Sequence, residues 1–191
     1  MSPSAQRWFR LALTLLLIPL GMRAFGSEYG EVPILSGINL AIHEFGHMLF
    51  MPFGIPVLGE TMVILGGSLF QVAFPLIFVG YFLYGPKQHR DPHAASVCLW
   101  WAAINLLSVA IYVADARARE LMLISGATGQ EDDGHDWYNL LSQWGVLSRD
   151  TIYASRLRGL AWFMFAVSVV AGIWAVSKVG VGDPTSRSTA S

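Results

Sequence analysis

Charge is scarce in this chain. Asp, Glu, Lys and Arg make up 13% of its 191 residues, about half the share usual in soluble domains, and the formal net charge is −1. No basic run interleaved with aromatics occurs in a polar setting, which excludes nucleic acid as an expected partner. Cysteine is almost absent too. Cys98 stands alone in an apolar run, so no internal disulfide can form, and the residue reads as a small packing side chain. Internal repeats and a soluble regulatory domain are also missing.

Hydrophobic residues fill the space that charge leaves, at 54% of the chain. This is the composition of an all-α, polytopic membrane protein. Five apolar segments can be drawn, at residues 8–25, 34–53, 60–84, 92–114 and 152–179. The first is read as an uncleaved helix rather than a signal peptide, because Arg23 sits awkwardly beside the small residues of a cleavage site. The second is barely long enough to span, being bounded by Pro33 and by Pro52, Gly54 and Pro56, and it is expected to be short or re-entrant. Residues 1–181 form one membrane domain, within which 117–150 are a polar loop carrying a short amphipathic helix suited to the headgroup level. Residues 182–191 are a small-residue, polar tail for which disorder is expected. The expected setting is multi-pass in a bacterial inner membrane, with lipid as the surrounding partner.

One motif dominates the second segment. His43-Glu44-Phe45-Gly46-His47 is an HExxH sequence, and residues four apart share a helix face. Both imidazoles can therefore bind one metal ion, with Glu44 beside its open position. Two histidines and a carboxylate in an apolar stretch are costly and mark a functional site. The implied cofactor is Zn2+ and the implied catalytic base is Glu44. Ser36, Asn39, His43 and His47 extend the motif into a polar stripe, in which Asn39 either orients a ligand or makes a plain interhelical hydrogen bond.

Catalytic zinc ordinarily takes three protein ligands. His135, Asp136 and Asp115 are the candidates for the third. His135 ranks first, because Gly134 lets the chain turn and the following aromatic helix holds the loop against the site. Asp136 is expected chiefly as the cap of that helix. Asp115 ends a second polar stripe, Asn105, Ser108, Tyr112 and Asp115. Gly66-Gly67-Ser68, Gln71 and Pro75 make a small, partly polar patch in the third segment. It suits either close helix packing or an extended peptide. His89 and His93, separated by Asp91-Pro92, are read as solvated loop residues.

Over residues 34–116 the chain resembles the site-two protease class of intramembrane zinc metalloproteases. The metal motif with its glycine, the Gly66-Gly67-Ser68 to Pro75 region, and Asn105 with Asp115 carry the resemblance. Asn105 lacks the following Asn-x-x-Pro, and no glycine follows Asp115. The Gly134-His135-Asp136-Trp137 loop looks more like a smaller branch of HExxH membrane proteins. The resemblance implies a helical membrane core that hydrolyses peptide bonds, with Asn105 or Gln71 holding a membrane-protein or peptide substrate. Two other readings stand beside it: a membrane zinc hydrolase acting on lipids or small molecules, and a non-enzymatic metal-containing scaffold or subunit.

Overall fold

The computed structural model describes residues 2–53 and 59–179. The polar tail and the Gly54 to Pro56 boundary lie outside them. Among the described residues the secondary structure is helical: α1 Pro3–Gly26, α2 Leu35–Phe53, α3 Glu60–Tyr84, α4 Pro92–Ala114, α5 Asp136–Gln143 and α6 Asp150–Lys178. Four of these, α1, α3, α4 and the helix ending at Lys178, are long and apolar enough to cross a membrane, and α2 is not among them.

The polar residues at the ends set where the helices start and how they pair. Asp91 precedes α4 and its Oδ1 accepts the His93 and Ala94 amide protons at 3.0 and 3.1 Å, while Pro92 supplies a first-turn residue that needs no hydrogen bond. The other oxygen of Asp91 binds Arg10 of α1 at 2.6 Å, and the Phe82 carbonyl of α3 accepts the Asp91 amide proton at 3.0 Å. These contacts gather the start of α1, the end of α3 and the start of α4 at one end of the bundle. His93 is buried there against Thr14 Oγ1, at 3.0 Å; the expectation of a solvated loop residue fails because α4 begins at Pro92 and turns the imidazole inward.

At the opposite end Arg158 of α6 donates to the Phe25 carbonyl of α1 at 3.1 Å, satisfying one of the carbonyls that a helix terminus leaves free. Ala154 packs with Val113 and Ala116 near the close of α4. α4 is the central helix, 56% of its most apolar window being buried against 22–33% for the other three. Its apolar residues Ile104 and Leu107 join Phe25 and Phe165 in the main core.

The path of α2 follows from these ends. α1 delivers the chain to the second end, where Gly30 lies against Leu107 and Ile111, and α3 departs from the same end. The 27–34 segment therefore carries the chain back into the bundle, and α2 runs out again toward the end from which α3 departs. It packs antiparallel to α3: Gly46 lies against Gly66 and Gly67, while a Cβ on Gly46 would stand only 2.5 Å from the Gly66 carbonyl oxygen. Small residues on both helices allow that backbone approach, which is the use made of the Gly66-Gly67 patch.

Candidate metal centre

His43 and His47 fall on the face of α2 that looks toward α3. A polar group of α3 holds each ring through Nδ1. The His43 Nδ1 proton goes to Gln71 Oε1 at 3.0 Å and the His47 Nδ1 proton to the Val63 carbonyl at 2.8 Å. A carbonyl oxygen can only accept, so a proton resides on each Nδ1 and Nε2 is the nitrogen left to meet a metal ion.

Both Nε2 atoms converge on Asp136. Its Oδ2 stands 3.0 Å from His43 Nε2 and 3.2 Å from His47 Nε2, and the three ligand atoms lie within 4.8 Å of one another. Two imidazole nitrogens and a carboxylate oxygen at such distances are held together by a proton or by a metal ion lying among them. Donors about 2.0–2.1 Å from a tetrahedral zinc ion stand about 3.3 Å apart, so the set needs little adjustment. Gly67 supplies the space: a Cβ built on it would come within 2.5 Å of His47 Nε2 and 2.6 Å of His43 Nε2. The residues present fit a divalent metal.

Asp136 reaches the site because α5 is docked firmly. Leu140 and Leu141 are buried, Trp137 Nε1 donates to Ser68 Oγ of α3 at 3.0 Å, and Thr61 Oγ1 donates to Gln143 at 3.1 Å. The Asp136 amide proton goes to the Tyr112 hydroxyl of α4 at 3.0 Å.

The ranking of the third donor read from sequence is corrected here. His135 turns away from the motif histidines. It is fully buried, its Nε2 proton goes to Asp115 Oδ2 at 3.1 Å, and its Nδ1 accepts the Tyr138 amide proton at 3.2 Å, so that His135, not Asp136, caps α5. The Tyr112 ring lies against it at 4.4 Å between centroids. Burial pushes the His135 imidazole below its ordinary pKa, against the opposing pull of Asp115. Asp115 is likewise occupied elsewhere, taking the Glu120 and Leu121 amide protons at 2.9 and 3.0 Å. It pins the start of the 116–135 segment and does not approach the motif.

A cavity of about 470 Å³ opens beside the three donors, lined by Glu44, Asn39, Gln71, Ser108, Tyr112 and a largely apolar remainder that includes Leu121 to Ile124. Asn39 faces it while accepting the Trp101 indole proton at 2.8 Å. Asn105 does not line it: this side chain is fully buried, and Nδ2 donates to the Trp101 carbonyl at 3.2 Å. Its expected contact with substrate therefore has no surface to act through. Tyr112 was passed over in the sequence as a member of a stripe. Its three-residue spacing from Asp115 and four-residue spacing from Ser108 already put it on the face that meets the site.

No protein-family model, curated protein or solved structure matches the chain.

Proposed function

We propose that the chain is a multi-pass membrane zinc hydrolase of the HExxH type, cutting a peptide bond in a membrane-protein or peptide substrate. The observation that carries this reading is the convergence of His43 Nε2, His47 Nε2 and Asp136 Oδ2 beside a cavity that Glu44 also lines. Two histidines, one carboxylate and a free position are the donor set of catalytic zinc. A zinc ion held there supplies Lewis acidity toward a water molecule and toward a carbonyl oxygen.

The other roles belong to side chains. Glu44 takes the proton from water and returns it to the leaving amine. Gln71 and Val63 hold the two rings in the tautomer that leaves Nε2 free. Tyr112 already accepts the Asp136 amide proton, so its own O–H is directed elsewhere; facing the cavity, it donates to the oxygen that gains charge in the transition state. Leu121 to Ile124 form part of the cavity wall and restrict water. The chemistry is that of the site-two protease class, with the third donor brought by the start of α5 instead of the end of α4.

Placed in a bilayer, α1, α3, α4 and α6 cross it, while α2, reached through the 27–34 segment, lies within it and runs back toward the side that holds the site. The apolar share of the cavity, including Ile104, Val109 and Ile111, also suits a lipid ester, which makes lipid hydrolysis the second reading.

The test joins composition to turnover. Purified protein should hold about one zinc per chain, His43→Ala with His47→Ala should hold none, and Glu44→Gln should keep the metal while losing activity. Membrane proteomes and lipidomes of cells carrying wild type or Glu44→Gln identify the substrate class. Equal metal in wild type and the double-histidine variant sinks the metal centre. Retained metal with identical proteomes and lipidomes, under conditions that demand the activity, sinks the enzyme and leaves the scaffold.

A further inference from the structure

A second concavity lies at the opposite end of the bundle, between the start of α1 and the connection from α3 to α4. It is lined by Arg10, Tyr81, Phe82, Gln88, His89 and Arg90, with Asp91 at its side. The one acid there is already engaged. Asp91 Oδ1 caps α4 and Oδ2 holds Arg10 at 2.6 Å, so its charge is spent on the fold. Arg90 is different: its Nε donates to the Gly85 carbonyl at 2.9 Å, which fixes the guanidinium plane and leaves the two terminal nitrogens without a hydrogen-bond partner among the described residues. His89 is held through Nδ1 by the Tyr81 hydroxyl, leaving Nε2 open. Lys87 is exposed next to them.

The surrounding side chains state the depth of this concavity. Trp8 and Phe9, which precede Arg10 in α1, and Tyr84, the last residue of α3, are 69%, 61% and 80% exposed. Aromatic residues exposed at the ends of apolar helices sit at the headgroup level of a bilayer. A guanidinium with free paired donors at that level matches the oxygens of a phosphodiester.

We propose that this concavity binds the phosphate of an anionic phospholipid, with Arg90 as the principal donor and Lys87 and His89 supporting it. The site rests on the membrane placement of the bundle and is independent of the metal centre.

The test uses the full chain in nanodiscs of phosphatidylcholine doped with phosphatidylglycerol, released for native mass spectrometry. Wild type should retain phosphatidylglycerol in preference to phosphatidylcholine, and Lys87→Gln with Arg90→Gln should lose that preference by about fivefold for each charge removed. Arg90→Lys, which keeps charge but not the fork, should fall between. Arg156→Gln, an exposed arginine near the other end, should change nothing. Inorganic phosphate added to pure phosphatidylcholine discs should not bind. Equal retention of the two lipids overturns the proposal, as does an equal loss in Arg156→Gln, which would reduce the effect to overall charge. Retention of inorganic phosphate by wild type but not by the double variant also overturns it, in favour of a soluble anion.

Discussion

Gly67→Ala is the sharpest perturbation of the metal centre, because it changes no donor and adds one methyl group. The new Cβ would stand 2.5 Å from His47 Nε2 and 2.6 Å from His43 Nε2, whereas ordinary van der Waals contact begins at 3.4 Å. One or both rings, or α2 itself, must therefore withdraw by about 0.8–0.9 Å. Metal sites tolerate departures of about 0.2 Å in ligand distance, so the displacement exceeds the tolerance roughly fourfold. The helix meanwhile gains: alanine is favoured over glycine in a helix interior by about 1 kcal/mol. The expected result is a folded protein that has lost at least about 100-fold in zinc affinity, the upper end of what disturbing even an outer contact costs. Competition with a chromophoric chelator measures the affinity, and circular dichroism checks the helices. Gly80→Ala is the control, since nothing lies within 4 Å of a Cβ at that position of the same helix. Wild-type affinity in Gly67→Ala would refute the placement of the ion between the two Nε2 atoms.

Asp136→Asn should lower zinc content as far as loss of one motif histidine, while Asp115→Asn should leave it nearly intact; elemental analysis separates the two carboxylates directly. Tyr112→Phe keeps the ring against His135 but removes the hydroxyl, so zinc should remain and turnover should fall by about 10²-fold or more, read once a substrate is in hand. Hydrogen bonds to Thr128 hold Glu131, and hydrogen bonds to Ser125 and the Gly134 amide hold Asp132, below their ordinary pKa values. Their contribution to the 125–134 turn is thus fully present only above the ordinary glutamate value of about 4.5, and is lost as pH falls through the depressed folded values. Hydrogen exchange at the Thr128 and Gly134 amides should accelerate, beyond the intrinsic rate change, only in that acid range.

Much of this arrangement is legible in the sequence, and the missing part has a definite cause. The apolar runs at 60–84 and 92–114 coincide with α3 and α4, because proline and glycine punctuate their ends and the length of each apolar run sets the length of the helix. The i, i+4 histidine pair places itself on one face of α2 for the same local reason. The third donor is not local. Asp136 is 93 residues from His43, and the choice between it and His135 turns on where α5 begins. Neighbouring residues on a helix project about 100° apart. With His135 as cap, its ring meets Asp115 and Asp136 faces α2; a start one residue earlier would have put His135 in the place that Asp136 holds. That choice is made by the burial of Leu140 and Leu141 and by Trp137 reaching Ser68, contacts that no pattern within 130–145 contains. The expected role of Asn105 failed for a related reason, since burial against neighbouring helices overrode a polar stripe.

The dependence of the third donor on α5 has a thermodynamic consequence. An ion bound by His43, His47 and Asp136 ties α5 and the 116–135 segment to α2, so any free energy of binding is also free energy of closing that segment. The apparent affinity contains the cost of ordering the loop, and substitutions that loosen α5 far from the donors weaken metal retention in proportion. Conversely, stripping the ion should leave the four long helices intact and make the bonds between Asp115 and Asp136 the first to be cut by a protease. Metal occupancy and resistance to cleavage in that stretch become two readings of one equilibrium.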